Sequence, residues 1–328
     1  MKKLLFVLLT IVLSGQIFIP SPARSDVPFP TKPVTIWVGL PAGGGTDIII
    51  RTLAEGAEKS LGQRIIVMNK PGGVGTVAAS LLTKERPDGY TLAAFPDTPI
   101  TRAPHLRDLS YDPLQDLSFI IRVGKWKNVF AVKADSPFKK WEEMVDWAKK
   151  NPGQLIHGHA GVGGAHHVAM AKVGTKEGFT YKDVPFGGEA PAISALLGGH
   201  VTIAGAGSVA IRSHVEAKTV RLLLVMDKEG LDYAPDVPTF EKVGYDFEAP
   251  MFVVICTPKG IPDPIRERLE KVFLDGMKAE TFMTLAKTQQ FSVGEPLTGK
   301  ALLDYMRKWN ALYEQYIKEA GIYKMEKK

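Results

Sequence analysis

From residue 34 onward, short β-branched runs alternate with stretches whose apolar positions recur every three or four residues. VTIWVGL (34–40) reads as a strand and runs into three consecutive glycines. TDIIIRTLAEGAEKSLG (46–62) then places Ile49, Leu53, Ala57 and Leu61 on one helical stripe, with Gly62 where a helix should stop. RIIVMN (64–69), a KPGG turn, the helical GTVAASLLTKE and, past a PDG break, the strand YTLAAF complete a βαβαβ pattern. Short loops between alternating element types predict a parallel sheet.

A second unit opens near residue 128. Strand NVFAVKA leads to helix WEEMVDWAKKN, and strand QLIHGHA to the loop GVGGAHH and a helix. KDVPF, EAPAISALLGG, HVTIAGA and RLLLVMD continue the alternation. After Pro250 the apolar run MFVVICTP resumes. Two helices, PIRERLEKVFLDGMKA and TGKALLDYMRKWNALYEQYIKEAG, are predicted to close the chain, the last covering other elements with its Tyr and Trp residues. Each unit carries a glycine loop at the carboxyl end of a strand, the edge where open α/β sheets bind ligands. Two such loops facing each other predict a bilobed binder with the ligand between helix N-termini.

The chain begins with a signal pattern: MKK, the apolar LLFVLLTIVL, then small residues at Ala23 and Ser25, predicting cleavage near Ser25 and export. The apolar run is too short to span a bilayer, which takes about 20 residues. Cleavage leaves Asp26 to Lys328, enough for two domains of ordinary size. The formal charge of +6 falls to +3 once Lys2, Lys3 and Arg24 leave. The remaining cations are scattered, with no basic run interleaved with aromatics, so nucleic acid is not an expected partner. The single cysteine, Cys256, forms no intrachain disulfide and reads as a small buried hydrophobe.

The first candidate for chemistry is Pro41-Ala42-Gly43-Gly44-Gly45-Thr46-Asp47. Glycines let backbone N–H groups converge on an oxygen, and the positive end of the following helix favours an anion there. Thr46 is placed to cap the helix or donate to a ligand. Asp47 complements the helix dipole or orients a ligand ammonium or hydroxyl. No GxxxxGK[ST] phosphate loop is present. Gly73-Val74-Gly75-Thr76-Val77-Ala78 fits GxGxxA, and Asp97 lies near where a ribose-binding acid belongs. Lys70-Pro71-Gly72 separates that match from its strand, so close packing at a helix start is the better reading. HGHAGVGGAHH (157–167) holds four of seven histidines, a density able to bind zinc, copper or nickel, yet without closed-site spacing and without an acid among them. Neither GxSxG nor HExxH occurs, Ser208 lacking the second glycine, so no enzyme and no cofactor is expected.

PAGGGTD, KPGGVGT and PDGYTL, followed by LSYDPLQDLSFI, GHAGVGGAHHVA, VPFGGEAPAISALLGGHV, PDVPTFEKVGY and TPKGIPDPIRERLEKVF, together resemble the exported substrate-binding proteins of tripartite tricarboxylate transporters, the Bug or TctC family. The resemblance implies an α/β, bilobed periplasmic-binding-protein (type II-like) fold. Two α/β lobes would be joined by crossing strands, lobe one at 26–126 plus 250–328 and lobe two at 127–249. It further implies that the loop Pro41–Asp47 and the loop Ala160, Gly161, Gly163 and Gly164 hold a ligand carboxylate through backbone N–H groups and ordered waters. His167 matches a histidine of the family, and Thr98 and Gly205 complete the expected ligand contacts. Two departures are Gly164, where relatives carry a hydroxyl, and Thr202, where relatives carry aspartate; both suggest a smaller, less charged wall in lobe two. The expected protein is a periplasmic monomer that delivers a small organic carboxylate to membrane transporter subunits, with no metal. The alternatives are a metal receptor using the 157–167 histidines, an exported enzyme and a ligand sensor of a two-component system.

Overall fold

The computed structural model describes residues 29–289 and 291–324. The predicted signal segment and its cleavage near Ser25 lie outside them. The chain runs β1 (Val34–Val38), α1 (Gly45–Leu61), β2 (Ile65–Asn69), a 3₁₀ turn (Gly73–Gly75), α2 (Thr76–Leu82), β3 (Thr91–Pro96), α3 (Thr98–Thr101), α4 (Ala103–Leu106) and β4 (Leu117–Trp126). It crosses at Lys127 into β5 (Asn128–Lys133), α5 (Trp141–Lys150), β6 (Leu155–His159), α6 (Ala165–Glu177), β7 (Tyr181–Pro185), α7 (Glu189–Leu197), β8 (Ile203–Gly207), α8 (Ser208–Glu216) and β9 (Val220–Val225). It then returns through β10 (Met251–Pro258), α9 (Asp263–Met277), α10 (Glu280–Gln289), β11 (Leu297–Thr298) and α11 (Gly299–Glu319).

Two sheets result, ordered β11-β4-β10-β3-β1-β2 and β7-β6-β8-β5-β9. The predicted parallel pairing holds for β1 with β2 and β3, and for β6 with β7 and β8. The sheets as wholes are mixed: β10 runs antiparallel to β3 and β4, and β5 antiparallel to β8 and β9. The reason is the crossing. β5 and β10 enter from the opposite sheet, so they run against the locally wound strands. The pattern also missed α3, α4, β4, α8, α10 and β11. Of these, α3 and α4 are single turns, and SVAIRSHVE (α8) breaks its apolar stripe with Arg212 and His214.

Period-two alternation sorts each sheet's faces. Val34, Ile36 and Val38 pack with Ile49 and Leu53 of α1 and Leu269 and Phe273 of α9. Trp37 points the other way, into Ala78, Leu82, Leu302 and Met306 of α2 and α11. In the second sheet Phe130 and Val132 meet Met144 and Met170, while Val129 and Ala131 meet Ile193, Leu196 and Ile211. Gly62 ends α1 in the left-handed region (φ 78°), its N–H donating to Glu58 O at 2.9 Å, as the sequence indicated. Cys256 is buried in β10.

Three contacts tie the sheets together. Asn128 Nδ2 donates to Ala249 O (2.7 Å), joining the two crossing segments. The last helix spans both halves, Tyr313 and Ile317 packing with Leu106 on one side and Val168 and Ala171 on the other. Lys172 and Glu319 form an ion pair on the same seam. Deepest is Arg102, fully buried with Asp97 at 2.7 Å. Its Nη2 also donates to Thr98 Oγ1 (2.9 Å), its Nε reaches across to Gly163 O (2.9 Å), and its guanidinium lies 4.4 Å above the Tyr313 ring.

Removing one partner of such a pair strands the other's charge. Asp97→Ala is expected to cost about 3–5 kcal/mol in urea unfolding, and Asp97→Ala with Arg102→Met to recover more than half of that. Equal stability of the single and double variants would show that the pair is not what holds this seam.

Candidate ligand-binding cleft

The first glycine loop is held from below. Gly43 takes a positive φ of 79°, and its N–H donates to Asp47 Oδ2 at 3.0 Å. Asp47 Oδ1 accepts from Arg51 Nε (3.0 Å) and Asn69 Nδ2 (2.8 Å), and the same Asn69 amide donates to Leu40 O (3.0 Å). Burial raises the Asp47 carboxyl's pKa, but these donors outweigh it and hold the group below the usual carboxylate range. Asp47 therefore braces the loop with its carboxylate, a role the sequence pattern did not indicate. Thr46 does not cap: the N-cap of α1 is Gly44, without a side-chain bond. The fully buried Thr46 Oγ1 has no protein partner among the described residues.

The second loop is held by an analogous device that the sequence hid. β7 lies beside β6 with His157 opposite Asp183, which brings an acid into the histidine cluster from 24 residues downstream of His159. His157 Nδ1 lies 3.2 Å from Asp183 Oδ1, and His159 Nε2 lies 2.8 Å from Oδ2. The far side of the His159 ring meets the loop, Gly161 N–H donating to His159 Nδ1 (3.1 Å), and Gly163 N–H donates to Nδ1 of His167 (3.3 Å), whose Nε2 lies 3.8 Å from Asp183 Oδ2. The His157 and His159 rings stack at 4.9 Å. Burial drags His157 down to about 4 and His166 to about 3. Burial also opposes the charge on Asp183, yet the hydrogen bonds from His157 and His159 hold its carboxyl well below the usual range.

Across the cleft, each loop abuts elements other than its counterpart, so the expected direct facing of the two is replaced by an offset. A Cβ built on Gly188 would lie 2.8 Å from the Pro41 ring, and one on Gly45 3.6 Å from Val209. The second loop meets the 3₁₀ turn and the α3–α4 corner. A Cβ on Gly161 would strike Val74 at 2.5 Å, and one on Gly163 would lie 2.9 Å from Leu106 and 3.6 Å from the Thr98 methyl. Thr98 is buried beside Arg102 on this seam. Ala160 and Gly164 are buried and flank the loop, with Gly164 the N-cap of α6, whereas Ala42 and Gly43 are exposed at the cleft's rim. Gly205 is buried inside β8, where a Cβ would meet His166 Cβ at 2.4 Å and its ring at 2.6 Å. Asp97, considered as a ribose ligand, is instead bonded to Arg102 and Thr101.

Between α1 and the second lobe sits a group the sequence reading did not single out. Glu189, the first residue of α7, is buried; its carboxylate accepts from Gly207 N–H at 2.8 Å and lies against the start of α1, a Cβ built on Gly45 being 3.5 Å from Oε2. Burial pushes its pKa up, and the backbone N–H groups of Gly207 and Gly45 pull the other way. The position of Gly207 opposite the Trp126 indole is tight, a Cβ there meeting Trp126 Nε1 at 2.6 Å and Glu189 Oε1 at 2.9 Å. Trp126 Nε1 and Ser208 Oγ, like Thr46 Oγ1, are buried without a protein partner among the described residues. Buried polar groups are almost always bonded, so three such donors on cleft-lining elements mark a surface built to be completed by something else. Thr202, by contrast, stands at the opposite end of β8 from Gly207 and accepts Ile156 N–H at 3.2 Å. It belongs to no cleft wall, and the inference of a less charged lobe-two wall fails on that point.

Stability should fall with acid. An unfolded histidine binds its proton below about 6.5, while His166 and His157 resist until about 3 and 4. The native state therefore loses ground as pH drops below about 6.5, each such histidine contributing up to about 1.4 kcal/mol per pH unit. Urea midpoints at pH 7 and pH 5 check this, with His166→Gln expected to flatten the slope; equal midpoints for the wild type would refute it.

A family model described as the tripartite tricarboxylate transporter family receptor, TctC, matches residues 49–315. The chain is 35% identical over 274 residues to a UPF0065 protein encoded in the gbd 5′ region of Cupriavidus necator, covering 83% of each. It superposes on the periplasmic binding protein BugD with a TM-score of 0.85 at 26% identity, covering 90% of this chain and 99% of that one. An R. palustris protein solved with adipate superposes equally well, with a TM-score of 0.85 at 24% identity over 90% of this chain and 99% of its own. The two mixed α/β sheets thus form the bilobed periplasmic-binding-protein fold, whose matching family consists of substrate-binding receptors and not enzymes. The chain belongs to the TctC family of tripartite tricarboxylate transporter receptors.

Proposed function

We propose that this chain captures a small organic carboxylate between its lobes and delivers it to the membrane subunits of a tripartite transporter, unchanged. The observation that carries the reading is the cleft's donor set. Two glycine loops are each braced through a carboxylate, and Thr46, Ser208 and Trp126 bring buried donors without a protein partner among the described residues. Such a surface suits an oxygen-rich anion and offers no nucleophile activated by a base. The proposed lobes are 26–126 with 250–328, and 127–249, following an export signal over 1–25. The proposed contacts are the loop Pro41–Asp47, the loop Ala160–Gly164, Thr98, His167 and Gly205. The proposed protein is a periplasmic monomer that works with a separate membrane partner; among the described residues no helix is long and apolar enough to cross a membrane. Closure around the ligand would give that partner a distinct surface to read.

A second reading has its own observation. His157, His159 and Asp183 each offer a ligand atom within 4.8 Å of the others, and a buried neutral histidine is a competent donor to zinc or nickel. Against it, the Asp183 oxygens already accept from both rings, so an ion would have to break the loop's brace.

Thermal unfolding of the exported protein against a panel of carboxylates and divalent metals separates the two. A ligand at 100 times its Kd adds about 2.7 kcal/mol, a rise of several degrees or less for lobes of this size. A rise with a carboxylate and none with metals supports the carrier. A rise with metal alone, abolished by chelator, would replace it with the histidine site. If the loops bind through their backbone, loosening a brace should weaken the bound carboxylate: Asp47→Asn is expected to lower affinity about tenfold in calorimetry. Unchanged affinity would mean that the first loop does not touch the ligand.

A further inference from the structure

Resting on the carboxylate-cleft reading, we infer that Glu189 is a specificity-determining residue. It supplies a carboxylate of the protein's own between the starts of α1 and α8, so the ligand end that meets it carries a hydrogen-bond donor and no negative charge.

The argument begins with the company Glu189 keeps. It is the first residue of α7, and its carboxylate accepts from the N–H of Gly207, which caps α8, and lies close against Gly45, the first residue of α1, a Cβ built there being 3.5 Å from Oε2. Three helix N-termini therefore converge on one buried acid. The positive ends of helices and their free N–H groups are what would otherwise draw in a ligand's carboxylate at this point. Here the Glu189 carboxylate already occupies that place. The hydrogen bonds and ion pairs of the described residues include no cation on Glu189, so its compensation is the backbone alone.

Its position is also not adjustable. Gly188 packs against the Pro41 ring so closely that a Cβ would lie 2.8 Å from it, and Gly207 leaves 2.9 Å between a built Cβ and Glu189 Oε1. The side chain is pinned from both lobes. A ligand that reaches Thr46 or Ser208 sits beside Gly45 and Gly207 and therefore beside this carboxylate. A second carboxylate brought there meets a like charge, or an acid, where its N–H donors should be. An amide, ammonium or hydroxyl finds an acceptor. Rejection of this kind, by a misplaced charge and not by lost contact, is how a site with general affinity for carboxylates becomes selective among them.

The test compares linear and aromatic monocarboxylates, the corresponding dicarboxylates and their mono-amides by titration calorimetry on the exported protein and on Glu189→Gln and Glu189→Ala. The tightest wild-type binder should be a monocarboxylate with a neutral or cationic donor end, preferred at least about tenfold over the matched dicarboxylate. Both variants should shrink that ratio about tenfold, and Glu189→Ala, by releasing the Gly207 N–H and clearing the carboxylate from Gly45, should gain dicarboxylate affinity outright. Glu189→Gln removes the charge and keeps one oxygen to accept the Gly207 N–H, so it reports even where the alanine variant folds poorly. A wild type that binds a dicarboxylate as tightly as its mono-amide overturns the inference, as does a ratio unchanged in Glu189→Gln, while the carrier reading stands. Binding of no carboxylate at all overturns both.

Discussion

A backbone N–H serves as a binding group only if the loop that carries it stays still, and a run of glycines has the most conformational freedom to lose. The whole cleft depends on how that is solved. Under the first loop, Asp47 gathers Gly43, Arg51 and Asn69; under the second, Asp183 gathers His157 and His159, with His159 receiving Gly161 N–H and the adjacent His167 receiving Gly163 N–H. In both cases an acid is kept ionised by donors that outweigh its desolvation. The glycines supply access, and the acids supply rigidity. Neither would be useful alone.

The same economy appears between the lobes. A bilobed binder needs an interface firm enough to define a pocket and polar enough to reopen. Apolar contacts such as Val74 against Gly161 and Leu106 against Gly163 are small, whereas the specific ties are polar: Arg102 bonded to Gly163, and the Glu189 carboxylate close against Gly45. A hydrogen bond across such a seam exchanges for water on opening at little net cost, where a broad hydrophobic face would not. The more permanent joints, Asn128 to Ala249 and the cluster around Tyr313, sit at the crossing and along α11.

Much of this was legible from local pattern. VTIWV, RIIVMN, TLAAF and MFVVICTP are strands because β-branched runs bounded by glycine and proline are read within a few residues. The helix between Gly45 and Leu61 announced both its apolar stripe and its stop at Gly62. The glycine loops at strand ends pointed to the cleft without any knowledge of the sheet. What stayed hidden were the elements with weak periodicity, α8 and α10, and every relation that depends on which strand lies beside which.

The amino-acid sequence by itself determined the two alternating units, the positions of the glycine loops and the family, because each rests on residues close together in the chain. Only the tertiary structure decided that the sheets are mixed, since strand direction follows from where the chain crosses between lobes. Only it placed Asp183 among the histidines through the pairing of β6 and β7, removed Thr202 from the cleft, and set Glu189 where three helices begin. These are contacts between residues distant in sequence. Their geometry is set by packing of whole elements, and no short stretch of the chain contains it.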